Sequence, residues 1–304
     1  MNKAIYIATS EPNSGKSVVV LGLMRMLLGK TAKVGYFRPI IDDVKKGKHD
    51  NHIKTMISQF DLDLKAKDAF AFTRTEFINK RTNGKEGEII DTIIEKYKVL
   101  EEQNDFMLVE GTDFSGEGSA IELDANVLIA KNLGIPAIIV SSGVGKTMEE
   151  FIGNLHVAYD SFKEKEVEVL AVIANKVLEE NRELVIEGIQ KELPNDVFVS
   201  VIPLISSLNN PSIKEISAAI DAKVLFGKDY LNNQCASFTV GAMQLRNYLT
   251  HLEENTLVIT PGDRADIILG ALQANISSNY PAISGIILTR GLQPEEPIIK
   301  LIDG

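Results

Sequence analysis

The stretch KAIYIATSEPNSGKSVVVLGLMRMLL, residues 3–28, decides the architecture. KAIYIAT is a short apolar run that reads as a core strand, and SVVVLGLMRMLLGK has a helical pattern. The loop between them, SEPNSGKS, ends in Gly15-Lys16-Ser17. Strand, short loop and helix in that order predict a helix start whose backbone N–H groups face an anion, with Lys16 reaching toward terminal phosphates. Ser17 brings the hydroxyl that would join a Mg²⁺ shell. Ser10 stands where such loops open with glycine, a position that often needs an unusual backbone angle or a close backbone approach. Set beside this is the plain reading, a strand-to-helix turn with Ser17 near the helix start.

Working outward, further apolar runs alternate with helical patterns through roughly the first two hundred residues. KVGYFRPI, DFMLVEG, PAIIVSS, VLAVIANKV and VFVSVIP are rich in Val and Ile, apolar on both faces and bounded by turn residues. Strands of a buried parallel sheet read this way. The helical patterns include GEIIDTIIEKYKVLEEQ and TMEEFIGNLHVAYDSFKEK, the second starting at a plausible N-cap, Thr147. The alternation predicts an α/β domain with a doubly wound, mostly parallel sheet. Ligands bind at the carboxyl ends of strands in such sheets, which places 9–17, 38–50, 110–119 and 141–147 on one rim.

A chain of 304 residues suggests about two domains. The texture changes in the Ser- and Asn-rich segment 204–211, so the expected boundary separates 1–205 from 206–304. ASFTVGAMQLRNYL, NTLVITPGDRADIILGALQAN and ISGIILTRG repeat the alternation on a smaller scale, as a second α/β domain. The chain stops at IIKLIDG with no obvious closing strand or helix, so a fragment of something longer is expected.

Composition narrows the partners. Lys and Arg number 32 against 42 Asp and Glu, a net charge of −10, which argues against nucleic acid as a bulk electrostatic partner. No apolar run reaches the ~20 residues of a membrane span. One cysteine, Cys235, excludes an internal disulfide framework and points to a reducing cytoplasm.

A second Gly-Lys-Thr, in IIVSSGVGKT (138–147), has Val140 at the opening position and a loop too short to wrap a phosphate. The favoured reading is a glycine turn followed by Thr147 as N-cap, with Glu149 and Glu150 in the first turn. Glu110 ends a buried strand in LVEGTDFSGEGS; it either holds Mg²⁺ across from Ser17, with Asp50 as companion, or is an ordinary turn carboxylate. Asn175 and Lys176 either meet an adenine edge or simply end a strand. His49, His52, His156 and His251 show no ligand or triad spacing, and HDNH reads as surface loop.

In order, SGKS, FRPI, VEG, NKV and IP resemble the dethiobiotin synthetase family of P-loop proteins over residues 1–205. Arg38-Pro39-Ile40 stands where that family has Lys-Pro-Val. PSIKEISAAIDAKVLFG, LVITPGDRADIILGAL and ISGIILTRGLQP resemble a DRTGG domain, here Gly262-Asp263-Arg264-Ala265-Asp266. The pair is similar to the N-terminal half of long-form bacterial phosphate acetyltransferases, which interconvert acetyl-CoA plus phosphate with acetyl phosphate plus CoA. The resemblance implies a regulatory and assembly segment and a homo-oligomer. It implies a C-terminal transferase domain in the same longer chain, with no catalytic residue in these 304. It also implies ATP, another nucleotide or a small-molecule effector, with Mg²⁺, at Asn13, Ser14, Gly15, Lys16, Ser17, Arg38 and Asn175, the metal on Ser17, Asp50 and Glu110. The alternative is an ATP-dependent carboxylase acting like dethiobiotin synthetase, though the DRTGG extension is foreign to that enzyme. A pure scaffold with a vestigial loop is the third reading.

Overall fold

The computed structural model describes residues 3–44, 50–112 and 119–303. Contacts divide the chain into two units, Met1–Leu204 and Ile205–Gly304. The first unit begins with β1 (Ala4–Thr9), α1 (Lys16–Leu28), β2 (Val34–Phe37), β3 (Ile40–Ile41), α2 (Asn51–Phe60), β4 (Phe72–Thr73), α3 (Arg74–Thr82) and α4 (Glu86–Glu101). It continues with β5 (Phe106–Glu110), α5 (Ser119–Leu133), β6 (Ala137–Ser142), α6 (Met148–Glu164), β7 (Val169–Val177), α7 (Arg182–Glu192) and β8 (Phe198–Pro203).

Six strands form one parallel sheet in the order β2-β5-β1-β6-β7-β8. The strand that precedes the Gly-Lys-Ser loop is therefore central, with Tyr6 opposite Val109 of β5 and Ala137 of β6. Successive residues of a strand face opposite sides, and β1 shows it: Tyr6 and Ala8 join a cluster with α4, α5, α6 and α7, while Ile7 joins one with α1 and α2. Covered on both faces, the inner strands become the continuous apolar runs seen in the sequence.

Two strand readings are corrected. KVGYFRPI is not one strand: β2 ends at Phe37, and Ile40–Ile41 pairs with Phe72–Thr73 in a separate two-stranded ladder. Pro39 has no N–H to continue the first ladder; the Arg38 N–H goes to the Ala69 carbonyl, and the Pro39 carbonyl accepts from Ala71 and Phe72. VFVSVIP forms a strand, but at the sheet edge rather than buried, with Phe198 68% exposed.

The second unit contains α8 (Ile213–Ala219), β9 (Ser237–Val240), α9 (Leu245–Leu249), β10 (Thr256–Pro261), α10 (Ala265–Ile276), β11 (Ile283–Thr289) and α11 (Glu296–Asp303). Its strands form a parallel sheet ordered β11-β10-β9. Its core gathers Tyr248, Leu252, Val258, Ile267, Ala271 and Ile283. Arg264 knits the loops at the strand ends. Its guanidinium donates to the carbonyls of Gly241, Ala242 and Met243 and grips the Asp266 carboxylate. The chain end, expected to lack a closing element, is α11: Ile298, Ile299 and Ile302 recur at helical spacing in EPIIKLID.

Candidate functional site

The loop after β1 holds its shape through two residues in the left-handed region, Asn13 (φ 58°) and Gly15 (φ 80°). Ser10 is not among the described residues with positive φ. The demand that a glycine would meet at position 10 therefore falls at 13 and 15. The Ser10 hydroxyl instead donates to Ser141 Oγ at 2.9 Å, tying the loop to the end of β6. Gly15 is the N-cap of α1, and Lys16 is its first residue. Lys16 is 1% exposed and donates from Nζ to the Gly111 carbonyl just past β5. A helix start and a buried ammonium meet here, two of the features that phosphate recognition uses.

Two residues at the end of β7 brace the loop from behind. Asn175 Nδ2 donates to the Ser14 carbonyl at 2.8 Å, and Lys176 Nζ donates to the Asn13 carbonyl at 3.0 Å. The pair does sit near the end of a strand, and it has a further role that the sequence did not suggest, a brace on the loop backbone. Asn175 thus touches the candidate phosphate site through Ser14 and Gly15.

Beneath Lys16 lies a buried network centred on Glu110, itself 1% exposed. Glu110 Oε2 accepts from the Tyr36 hydroxyl at 2.5 Å, and Oε1 lies 2.9 Å from His52 Nδ1. Burial alone would push this carboxyl up. The His52 hydrogen bond and the charges of Lys16 and Arg38 outweigh it and hold the carboxyl down at about 2. Burial and the Glu110 charge push the Tyr36 phenol far up, so Tyr36 stays protonated and donates. An ionised carboxylate only accepts, so His52 Nδ1 carries the hydrogen. The same Nδ1 lies 3.1 Å from Ser17 Oγ. His52 therefore stands between the two groups expected to share a metal.

Asp50 is also placed differently from its expected role. Both its oxygens take Arg38 Nη1, at 3.1 and 2.9 Å, in a buried ion pair, and Oδ1 caps α2 by accepting from Ile53 N. A magnesium ion needs an octahedron of oxygens at about 2.1 Å. With Asp50 committed to Arg38, and an imidazole nitrogen bonded to both Ser17 and Glu110, the set Ser17, Asp50 and Glu110 does not fit a direct metal shell. Among the described residues no group of three or more His, Cys, Asp or Glu could hold a metal ion. Arg38, expected on the ligand, is 1% exposed and engaged with Asp50.

The second Gly-Lys-Thr serves the first. Thr147 caps α6 in a full capping box with Glu150, and Lys146 turns inward to pair with Glu11 of the first loop. The Glu11 carboxylate also accepts from Ser142 N at 2.7 Å and from Ser141 Oγ at 3.3 Å. The loop borders a cleft of about 630 Å³ that reaches Leu178 and Leu184.

Sequence reasoning missed Tyr36 and His52. Tyr36 passes for a strand core residue, and only its register beside β5 brings it to Glu110. His52 lies in the first turn of α2, while HDNH reads as loop; His49 of that motif is outside the described residues, as is most of TDFSGEGS. The one available signal was Asp50 as a helix N-cap, which turns His52 toward the rim.

Residues 3–212 match a family described as an AAA domain, and residues 215–304 match one described as a DRTGG domain. The whole chain is 37% identical to a phosphate acetyltransferase of Nitratidesulfovibrio vulgaris and 39% identical to one of Synechocystis sp.. In each case it spans 44% of the relative's length. Among solved structures, it is similar to a nucleotide-binding protein from Archaeoglobus fulgidus in complex with ADP, at 16% identity, over 68% of this chain and 84% of that one, with a TM-score of 0.38. No helix among the described residues is long and apolar enough to cross a membrane.

Proposed function

Because the chain belongs to the AAA-domain family and carries a DRTGG domain behind it, we propose that it is the N-terminal regulatory and assembly portion of a phosphate acetyltransferase. The parent enzyme interconverts acetyl-CoA plus phosphate with acetyl phosphate plus CoA, and its acyl-transfer residues lie outside these 304. One observation carries the reading: phosphate acetyltransferases align with the entire chain, across both domains, while more than half of their own length lies elsewhere. In this portion the loop at 10–17 binds a nucleotide as effector through Lys16 and its backbone N–H groups, with Asn175 and Lys176 fixing the loop. The chain self-associates and works in the cytoplasm beside its transferase domain.

The test joins this chain to a phosphate acetyltransferase catalytic domain and titrates nucleotides, NADH and pyruvate while following acetyl phosphate formation. The expected result is effector-dependent kinetics in the fusion and no acetyl transfer by the 304-residue chain alone. Identical kinetics with and without the chain across all titrations, or acetyl transfer by the chain itself, would overturn the reading.

A further inference from the structure

We infer that His52 takes the place of the divalent cation beside the phosphate loop, so that the loop binds its phosphate-bearing ligand without a metal. This rests on the nucleotide-binding reading above and adds how the site meets the phosphate.

A cation beside such a loop is held where the helix-start hydroxyl and the strand-end carboxylate face each other. In this chain those groups are Ser17 Oγ and the Glu110 carboxylate, and His52 Nδ1 lies 3.1 Å from one and 2.9 Å from the other. The opposite Glu110 oxygen is taken by the Tyr36 hydroxyl at 2.5 Å. The carboxylate thus receives a donor from the chain itself on each oxygen, and a cation held between Ser17 Oγ and Glu110 Oε1 has to displace the His52 ring that lies against both. Asp50 offers no second carboxylate, since its oxygens are tied to Arg38 and to the start of α2.

The arrangement also replaces part of what a cation does. A cation neutralises the strand-end carboxylate and keeps it from repelling phosphate; here two donors and the neighbouring Lys16 and Arg38 charges do so. Lys16 then carries the direct charge contact, and His52, with 31% of its side chain exposed, can present its outer ring edge to the ligand. The position comes from the fold: the Asp50 cap fixes the first turn of α2, and His52 follows two residues later.

The test is calorimetric titration of ADP into the 304-residue chain, with Mg²⁺ and with EDTA. Alongside it, Mn²⁺ binding is followed by electron paramagnetic resonance without nucleotide. The wild-type chain is expected to bind ADP with dissociation constants within about threefold in the two conditions and to show no bound Mn²⁺ signal. His52→Ala, which clears the position, should bind ADP at least about tenfold tighter with Mg²⁺ than with EDTA and should bind Mn²⁺. His52→Gln keeps a donor of similar reach and should remain indifferent to metal; far-UV circular dichroism reports whether both variants fold. Wild-type binding that requires Mg²⁺ overturns this inference while leaving the nucleotide reading intact, and so does a folded His52→Ala that stays indifferent. No ADP binding in either condition removes the nucleotide reading and this inference with it.

Discussion

Replacing Gly15 with alanine separates the two demands that the first loop places on that residue. Gly15 has φ 80°, and a Cβ built there would lie 2.3 Å from Asn175 Nδ2 and 3.2 Å from Lys176 Cε. A left-handed conformation costs an L-residue about 1–2 kcal/mol. The Asn175 amide can rotate away from the new methyl, but only by giving up its 2.8 Å bond to the Ser14 carbonyl, a net loss of about 0.5–1.5 kcal/mol. Gly15→Ala should therefore destabilise the first unit by roughly 1.5–3.5 kcal/mol. Gly145 in the second loop is the internal control, with φ 73° and nothing within 4 Å of its built Cβ. Gly145→Ala should cost only the conformational part, about 1–2 kcal/mol. Urea unfolding of each variant, followed by a probe in the first unit, measures the gap. Gly15→Ala should also weaken nucleotide binding, since the Ser14 carbonyl loses its anchor. Equal destabilisation by the two substitutions would refute the brace.

Glu110 makes stability depend on acid. Its carboxyl is lowered from 4.5 to about 2 in the folded chain, so the folded state gains stability that is complete above pH 4.5 and is lost as pH falls toward 2. A shift of that size corresponds to something on the order of 3 kcal/mol. Glu110→Gln should therefore narrow its deficit against the wild type between pH 5 and pH 2, read from unfolding midpoints; a constant deficit would contradict the assignment. In the second unit, a Cβ on Gly262 would sit 1.9 Å from the Leu292 carbonyl oxygen, a backbone atom that cannot rotate aside. Gly262→Ala should cost on the order of 3–5 kcal/mol and raise hydrogen exchange in β10 and β11, whereas unchanged exchange would rule out that close approach. Thr147→Ala removes the α6 cap and should cost about 1 kcal/mol in thermal unfolding, with nucleotide affinity unchanged; a large affinity loss would return the second loop to the status of a binding site.

The parts of the fold that follow local chemistry were legible in the sequence. β1, its loop and α1 announce themselves because an apolar run, a glycine turn and a helical pattern are contiguous, and Thr147 with Glu150 spells a capping box within four residues. The site's wiring was not legible, because its partners lie far apart in the chain. His52 meets Glu110 across 58 positions and Ser17 across 35, and Lys146 reaches Glu11 across 135. Spacing rules see only neighbours along one element, so Asp50 reads as a free carboxylate until Arg38 is brought beside it. The break in KVGYFRPI was in principle readable from Pro39, whose missing N–H outweighs the apolar pattern around it. The edge position of β8 was not, since Val and Ile suit an edge strand as well as a central one.

In the proposed function the loop at 10–17 binds a nucleotide and its twin at 143–147 does not. Paired calorimetric titrations of ADP into the wild-type chain, Lys16→Ala and Lys146→Ala test it most directly. Lys16→Ala removes a charge-assisted phosphate contact of about 1.5–3 kcal/mol and should weaken binding roughly ten- to hundredfold. Lys146→Ala leaves Glu11 held by Ser141 and Ser142 and should change affinity by less than about threefold. Equal losses in the two variants, or no loss in Lys16→Ala, would contradict the account.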